Sequence, residues 1–256
     1  KTIANQVTQV IQALNIQNIQ SNVLELGAGT GSLAKDLLLA LHDYKSTIQH
    51  YFILEVSAYL REVQQEKLKA ELPAELFEKV VWLDKLPNEF SGFILGNEVL
   101  DALPIHIVKR HDQDLFEVGV SSDNSQFSWQ EKPIEDRQLN QFVEALNLSE
   151  NYAIEVCPAA FGLIASLAGM LQTGALMMVD YGFSRAEYYH PQRHQGTLMC
   201  HYRHHAHANP LLYLGLQDIT AHVDFTRIAE AGVGAKLELV GFTTQAQFLI
   251  NAGIMK

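Results

Sequence analysis

Cysteine, positive charge and long apolar runs are all scarce in this sequence of 256 residues. Its two cysteines, Cys157 and Cys200, form no C-x-x-C motif, which argues against a disulfide scaffold and favours a reducing compartment. Lysine and arginine number 18 against 29 aspartates and glutamates, and this net charge of −11 argues against DNA or RNA as the main partner. No run of 18 apolar residues occurs, so the sequence predicts no insertion into a membrane.

The composition is that of a globular protein. Hydrophobic residues make up 48% of the chain and charged residues 18%, which excludes a disordered tail and a collagen-like or coiled-coil rod. A chain of this length is expected to fold as one large domain, or as one domain with an insertion. No signal or transit peptide is visible, so the expected location is the bacterial cytoplasm, with the mitochondrial matrix as the alternative.

Strands and helices alternate along the first hundred residues. Short apolar runs predict strands at Asn22–Leu26, His50–Glu55, Val80–Leu83 and Gly92–Gly96, with helical spacing between them. This alternation is typical of βαβ units and a parallel sheet, that is, a doubly wound, Rossmann-like α/β fold. We therefore expect residues 1–104 to form the N-terminal half of such a core.

The pattern changes after Pro104. Three short strands joined by polar turns, followed by a helix near 137–147, predict an inserted β-meander and helix over 105–150. This insertion is a candidate for partner binding or for formation of a homodimer.

Residues 151–256 are expected to return to the core. Strands are predicted at Gly174–Asp180 and Lys236–Val240, and a helix at Thr244–Asn251. Residues 183–217 are rich in His, Tyr and Gly and predict a long ordered loop, which inside a compact domain is usually functional.

The clearest local motif is a glycine loop, Glu25-Leu26-Gly27-Ala28-Gly29-Thr30-Gly31, between a strand and a helix. A turn at this point of a doubly wound sheet binds nucleotides, and its glycines let the backbone turn tightly. The dinucleotide fingerprint G-x-G-x-x-G/A does not fit, because Ser32 occupies its sixth position. Glu55 ends the next strand and is placed to accept both hydroxyls of a ribose. The alternative is a turn without ligand, with Glu25 a helix-dipole partner and Glu55 a surface carboxylate.

A second acidic segment follows the fourth predicted strand, where Asn97 and Glu98 are followed by Asp101. If a helix begins there, Glu98 and Asp101 share one face. Paired carboxylates suit a guanidinium, which they could orient while helping to accept its proton. Alternatively, both acids complement a helix dipole, and spacing alone leaves the two interpretations open.

Six blocks together resemble the MidA-like family of S-adenosylmethionine (SAM) methyltransferases. They are ELGAGTGSLA (Glu25–Ala34), NEVLDALP (Asn97–Pro104), VDYGF (Val179–Phe183), GTL (Gly196–Leu198), QDITAHVDF (Gln217–Phe225) and TTQAQFLINAGI (Thr243–Ile254). The resemblance implies the class I SAM-methyltransferase fold and SAM as cofactor. Mitochondrial members are protein arginine methyltransferases that assist assembly of respiratory complex I. The family's segment with a G-D-F-x-T-A-P-E type motif has no counterpart here, so part of the family's active site is expected to lie outside these residues.

The resemblance assigns candidate roles residue by residue. The implied SAM contacts are Glu25, Gly27, Ala28, Gly29, Thr30, Gly31 and Asn97, with Glu55 on the ribose. The candidate catalytic residues, inferred from their chemistry, are Asn97, Glu98 and Asp101. The substrate-side candidates are Pro104, Asp180, Tyr181, His204, His207 and His222.

Clustered histidines between His190 and His207 invite a metal interpretation. No cysteine or carboxylate spacing supports a defined site, so no metal is expected. His204 and His207 match family positions and are expected to be structural or to face the substrate. For His222 we expect a packed residue that orders the loop, with a catalytic base as the alternative.

The leading functional hypothesis is methyl transfer from SAM to an arginine nitrogen of a protein, with a complex I subunit as candidate substrate. Two alternatives remain open at this point: a SAM-binding assembly chaperone that needs no turnover, and a methyltransferase for a small molecule. A nicotinamide enzyme is disfavoured by the mismatch at Ser32.

Overall fold

The computed structural model describes residues 1–123, 126–203 and 205–255. Its helices are α1 (Thr2–Ile16), α2 (Ser32–Asp43), α3 (Ala58–Glu71), α4 (Ala74–Phe77), α5 (Arg137–Ala145), α6 (Pro158–Met170), α7 (Arg185–Tyr188), α8 (Phe225–Gly234) and α9 (Gln245–Asn251). Its strands are β1 (Asn22–Leu26), β2 (Tyr51–Leu54), β3 (Val80–Leu83), β4 (Phe90–Asn97), β5 (His106–His111), β6 (Asp114–Asp123), β7 (Gln126–Pro133), β8 (Tyr152–Val156), β9 (Leu171–Val179), β10 (Gly182–Phe183), β11 (Met199–Tyr202), β12 (His205–His207), β13 (Asp218–Thr220) and β14 (Val223–Asp224).

The chain divides into two compact units. Unit 1 contains residues 1–99, 165–179 and those from 232 onward, and unit 2 contains residues 100–164 and 180–231. No helix within the described ranges is both long enough and apolar enough to cross a membrane.

Unit 1 is built on a parallel sheet with strand order β3-β2-β1-β4-β9. Leu26 of β1 lies opposite Leu54 of β2 and Gly96 of β4, so these three strands end at the same edge. The near-continuous burial of β1 is typical of a parallel strand covered on both faces. The predicted doubly wound α/β core is confirmed.

Helices of unit 1 bury apolar stripes against this sheet. In α1 the buried residues are Ala4, Val7, Ile11 and Leu14, at the three- and four-residue spacing of one helix face. Ser57 caps helix α3, because its Oγ accepts a hydrogen bond from Leu60 N at 3.3 Å. The cap residue lies two positions after Glu55.

Unit 2 contains an antiparallel sheet with strand order β7-β6-β5-β8. Helix α5 packs Leu139 and Val143 against Val108 of β5 and Ile154 of β8. The predicted meander and helix are therefore present. Strand β8 was not predicted, because a charged residue, Glu155, interrupts its short apolar run.

The predicted long loop over 183–217 contains short elements, including β10, α7, a 3-10 turn (Pro191–Arg193), β11 and β12. Strands β12, β11 and β13 form a small antiparallel sheet. The predicted strand at Lys236–Val240 is wrong: these residues pair with no described strand, so their backbone has no ladder to join. The last helix was predicted correctly, and Thr244 caps it by accepting from Gln247 N at 3.2 Å.

Candidate functional site

The glycine loop lies at the edge where β1, β2 and β4 end. Gly27, Gly29 and Gly31 have φ values of 58°, 53° and 78°, a left-handed region that side chains disfavour. Gly27 N donates to Leu54 O at 2.9 Å, which holds the loop to the end of β2. Gly31 is the N-cap residue of α2, so the loop leads directly into a helix N-terminus with unpaired backbone donors. The loop's backbone therefore needs glycine at these three positions.

Glu25 is buried in β1 just before this loop and is 3% exposed. The Tyr51 hydroxyl donates to Glu25 Oε2 at 2.7 Å. Burial raises the pKa of Glu25 to about 7, although the hydrogen bond from Tyr51 acts in the opposite direction. A cation such as an ammonium group beside this carboxyl group would favour its charged form.

Glu55 lies at the same edge, immediately after β2. Ser57 N donates to its Oε1 at 3.0 Å, and Gln64 Nε2 donates to its Oε2 at 3.1 Å. Gln64 Nε2 also donates to the Gly29 carbonyl at 2.8 Å. Sequence reasoning missed Gln64; the available signal was a polar residue four positions from both Leu60 and Leu68, on an apolar helix face.

The remaining loop positions are less constrained by side-chain contacts. Thr30 Oγ1 lies 3.0 Å from Ser32 Oγ, and Lys67 Nζ donates to the same Ser32 oxygen at 2.5 Å. Ala28 is buried, and its carbonyl accepts from Gly31 N at 2.8 Å.

Asn97 ends β4 at this edge, and Glu98 follows it with an exposed side chain. Glu98 has φ of 51°, and its N–H donates to Val179 O of β9 at 2.8 Å. A left-handed conformation costs a non-glycine residue about 1–2 kcal/mol. Because of it, no helix begins at Glu98, and the shared helix face considered for Glu98 and Asp101 does not form.

In unit 2, Asp180 organises the turn that contains Asp101. Asp180 Oδ2 accepts from Leu100 N at 2.8 Å and from Asp101 N at 3.3 Å. Asp180 Oδ1 accepts from Tyr181 N at 2.9 Å, and the Tyr181 side chain is exposed. Asp101 is buried in this turn. The Pro104 carbonyl, just beyond it, accepts from Cys157 Sγ at 3.3 Å.

A buried carboxylate, Glu155 of β8, holds the Gly196-Thr197-Leu198 segment of unit 2. It accepts from Thr197 N at 2.8 Å, Thr197 Oγ1 at 3.0 Å and Leu198 N at 3.1 Å. Burial raises the pKa of Glu155, and the hydrogen bonds oppose this rise. Gly196 has φ of 77°, and a Cβ atom there would overlap the carboxylate of Glu155. Sequence reasoning missed Glu155, because a lone glutamate in a short strand carries no motif.

His222 is packed against the same segment. Its N–H donates to Thr197 Oγ1 at 3.1 Å, and its ring stacks on Phe183 with centroids 5.1 Å apart. The Arg193 guanidinium also lies over Phe183, 3.8 Å from the ring centroid. Burial, together with the charge of Arg193, lowers the pKa of His222. His222 is therefore packed and hydrogen-bonded, and its role stays a prediction.

The histidine-rich segment has local contacts of its own. His207 Nδ1 accepts from Asn209 N at 3.4 Å, and its ring meets Tyr213 edge-on. His204 lies outside the described residues. Among residues 1–123, 126–203 and 205–255, no group of three or more His, Cys, Asp and Glu side chains is placed to hold a metal ion.

The structure thus collects part of the candidate set within each unit. The glycine loop, Glu25, Glu55, Asn97 and Glu98 share the carboxyl edge of the unit 1 sheet. In unit 2, Asp101 adjoins Asp180, while His222 adjoins Thr197. These unit 1 residues fit an adenosyl cofactor with a cationic end: they are glycines in the left-handed conformation, the Glu55 carboxylate beside them, and the Glu25 carboxyl group, whose pKa burial raises to about 7.

A parallel sheet of this order with a glycine loop and an acid after β2 defines a class I nucleoside-cofactor fold. A family model confirms the class: residues 2–243 match the family described as "Putative S-adenosyl-L-methionine-dependent methyltransferase". The chain belongs to this family, and the family resemblance, fold class and SAM cofactor predicted from the sequence are confirmed.

Particular relatives extend the match. A protein from Burkholderia thailandensis, solved bound to S-adenosyl-homocysteine, is 45% identical with a TM-score of 0.92 over 99% of this chain and 65% of its own. "Protein arginine methyltransferase NDUFAF7, mitochondrial" from Xenopus tropicalis is 28% identical over 91% of this chain and 57% of its own length. The same protein from Danio rerio is also 28% identical, over 91% and 58%. The chain therefore spans a little over half the length of these curated relatives.

Proposed function

We propose that this protein transfers a methyl group from SAM to a guanidinium nitrogen of an arginine in a protein substrate. The observation that carries the proposal is Glu98, an exposed carboxylate with φ of 51° at the carboxyl end of β4. The same edge carries the glycine loop and Glu55, the candidate cofactor contacts. Backbone strain at a non-glycine residue is frequent at functional sites, which supports a role for Glu98 beyond folding.

The proposed chemistry follows from the charge of the acceptor. When bound, SAM supplies an electrophilic methyl group on a sulfonium. The guanidinium is charged at neutral pH, so its nitrogen becomes a good nucleophile only as a proton leaves. Glu98 orients the guanidinium, stabilises its charge and accepts that proton. Asn97 adjoins Glu98 at the end of β4. Asp101, in the unit 2 turn held by Asp180, stays a candidate catalytic residue from the sequence.

The remaining substrate-side candidates lie in unit 2 and are proposed to contact the substrate rather than to react. Tyr181 is exposed beside Asp180, and Pro104 is exposed beyond the turn. His222 is held by Thr197, and His207 by Asn209.

The names of the curated relatives support arginine as the acceptor, since the frog and zebrafish proteins are named protein arginine methyltransferases. A role in complex I assembly, with a complex I subunit as substrate, is proposed from the family resemblance. We propose the bacterial cytoplasm as its location, and the identity of 45% to a bacterial protein, against 28% to the mitochondrial ones, supports a bacterial source. Complex I activity in a deletion strain, and fractionation of cells, test these two proposals.

The reaction is tested by mass spectrometry of methylated arginine in extract from a gene-deletion host, incubated with SAM and the full-length protein. Glu98→Gln keeps the size of the side chain but removes its charge. We expect it to lower methylation by about a hundredfold or more, and to leave the Kd for S-adenosyl-homocysteine within about twofold. Glu89→Gln is the matched control, since Glu89 is an exposed glutamate at the opposite end of β4.

Two outcomes would contradict the proposal. Undiminished methylation by Glu98→Gln would remove Glu98 from the acceptor side. No new methyl-arginine with the native protein, despite bound S-adenosyl-homocysteine, would refute arginine transfer. That second result would favour a binding protein without turnover or a small-molecule methyltransferase.

A further inference from the structure

Gln64 is a fully buried amide on α3 whose polar atoms are used in three directions. Its Nε2 donates to the Gly29 carbonyl at 2.8 Å and to Glu55 Oε2 at 3.1 Å. Its Oε1 accepts from Trp82 Nε1 of β3 at 3.0 Å. An indole N–H can only donate, and a carbonyl and a carboxylate can only accept, so these partners fix the orientation of the amide.

These contacts join two parts of the candidate cofactor site. Gly29 is the central glycine of the loop after β1, and Glu55 is the carboxylate after β2. The side chain of Gln64 also packs against the loop, since a Cβ atom on Gly31 would lie 3.4 Å from Gln64 Cγ. Loop and carboxylate are therefore positioned by a single side chain from a third element.

The hydrogen bond to Gly29 also orients a peptide group. In a trans peptide the carbonyl and the following N–H point to opposite sides, and the Gly29–Thr30 peptide is trans. Because the Gly29 carbonyl points toward Gln64, the Thr30 N–H points away from α3. The loop thus presents this backbone donor on the side opposite to Gln64.

We propose that Gln64 is a positioning residue for SAM binding, which holds the Gly29 peptide and the Glu55 carboxylate in the arrangement that the cofactor requires. Trp82 supports it by holding the amide oxygen. The inference depends on cofactor binding alone, not on the proposed arginine acceptor, so a failure of one leaves the other standing. Preorganisation of this kind strengthens binding because fewer groups need to be ordered when the ligand arrives.

The test measures the Kd of the full chain for S-adenosyl-homocysteine and for its 2′-deoxy analogue by calorimetry. Gln64→Leu has a similar volume but offers no hydrogen bond to Gly29, Glu55 or Trp82. We expect it to weaken binding of S-adenosyl-homocysteine by about tenfold to a hundredfold. Gln64→Leu is expected to weaken binding of the analogue by a smaller factor, because the analogue lacks one of the hydroxyls assigned to Glu55. The preference for S-adenosyl-homocysteine, measured as the ratio of the two Kd values, should therefore fall by at least about threefold.

Two further variants separate positioning from stability. Leu68→Ala leaves a core cavity one turn along α3, at a residue that is also fully buried. It is expected to lower the stability of unit 1 but to keep the preference between the two ligands within about twofold. Trp82→Phe removes the donor to Gln64 together with part of the ring, and is expected to weaken binding of S-adenosyl-homocysteine by about threefold to tenfold. It keeps the test decisive if leucine at position 64 prevents folding.

Three results would overturn the inference. The first is that Gln64→Leu folds and binds both ligands with Kd values within about twofold of those of the native protein. The second is that Leu68→Ala changes the preference between the two ligands as much as Gln64→Leu does. That result would show that a loss of stability is enough to change the preference. The third applies if Gln64→Leu does not fold: it is that Trp82→Phe binds S-adenosyl-homocysteine with native affinity.

Discussion

Ionisation of the buried Glu25 carboxyl group lowers the stability of the folded protein. Burial raises its pKa from 4.5 to about 7, which corresponds to about 3 kcal/mol of folding free energy. The folded-state pKa lies above the unfolded one, so this contribution is fully present below pH 4.5 and is lost as the pH rises through 7. Between pH 5 and pH 8 the loss is about 2.5 kcal/mol.

The substitution Glu25→Gln tests this reasoning. Glutamine keeps an oxygen that can accept from Tyr51, but it cannot ionise. The free energy of unfolding of Glu25→Gln, relative to the native protein, should therefore rise by about 2.5 kcal/mol from pH 5 to pH 8. The comparison of two proteins at each pH cancels the titration of every other group.

The assay is urea unfolding without cofactor, monitored by the fluorescence of Trp82 in unit 1. A Trp129→Phe background leaves Trp82 as the single indole of the chain. Glu62→Gln, at an exposed position of α3, is the control and should show no such dependence on pH. An unfolding free energy that differs between Glu25→Gln and the native protein by the same amount at pH 5 and pH 8 would refute the assignment.

Two predictions concern unit 2. Gly196→Ala combines a φ of 77° with overlap of the Glu155 carboxylate, and should lower the free energy of unfolding by at least about 2 kcal/mol. Gly119→Ala, where an added Cβ meets nothing within 4 Å, is its control, and equal losses in the two variants would count against this explanation. Asp180→Ala removes the acceptor for the N–H groups of Leu100 and Asp101, and should slow methyl transfer by about tenfold or more with the Kd for S-adenosyl-homocysteine nearly unchanged. Asp180→Asn, which keeps one acceptor oxygen, should recover most of the rate; if it is as slow as Asp180→Ala, the charge of Asp180 matters more than its hydrogen bonds.

Some features of the site could be predicted because neighbouring residues determine them. The positive φ values of Gly27, Gly29 and Gly31 are local demands of a tight turn, and glycine meets them at each position. Ser57 caps α3 through a residue three positions along the chain. The position of Glu55 follows from the end of a predicted strand.

Local patterns were insufficient where pairing decides the structure. The residues at Lys236–Val240 have the composition of a strand, but a strand forms only where a neighbour supplies hydrogen bonds. Strand β8 has such a neighbour in β5. It was not predicted because its buried glutamate, Glu155, interrupts the apolar pattern of the sequence.

The sequence by itself determined the α/β order of elements, the glycine loop, the family and the cofactor, because these depend on periodicity, backbone conformation and motifs within short segments. The tertiary structure alone decided the raised pKa of Glu25, the contacts of Gln64 and the function of Asp180 as an acceptor. Gln64 reaches a carbonyl 35 residues away, and Asp180 an N–H group 80 residues away. Desolvation and hydrogen bonds across such separations arise when distant elements pack together, and no local pattern of residues encodes them.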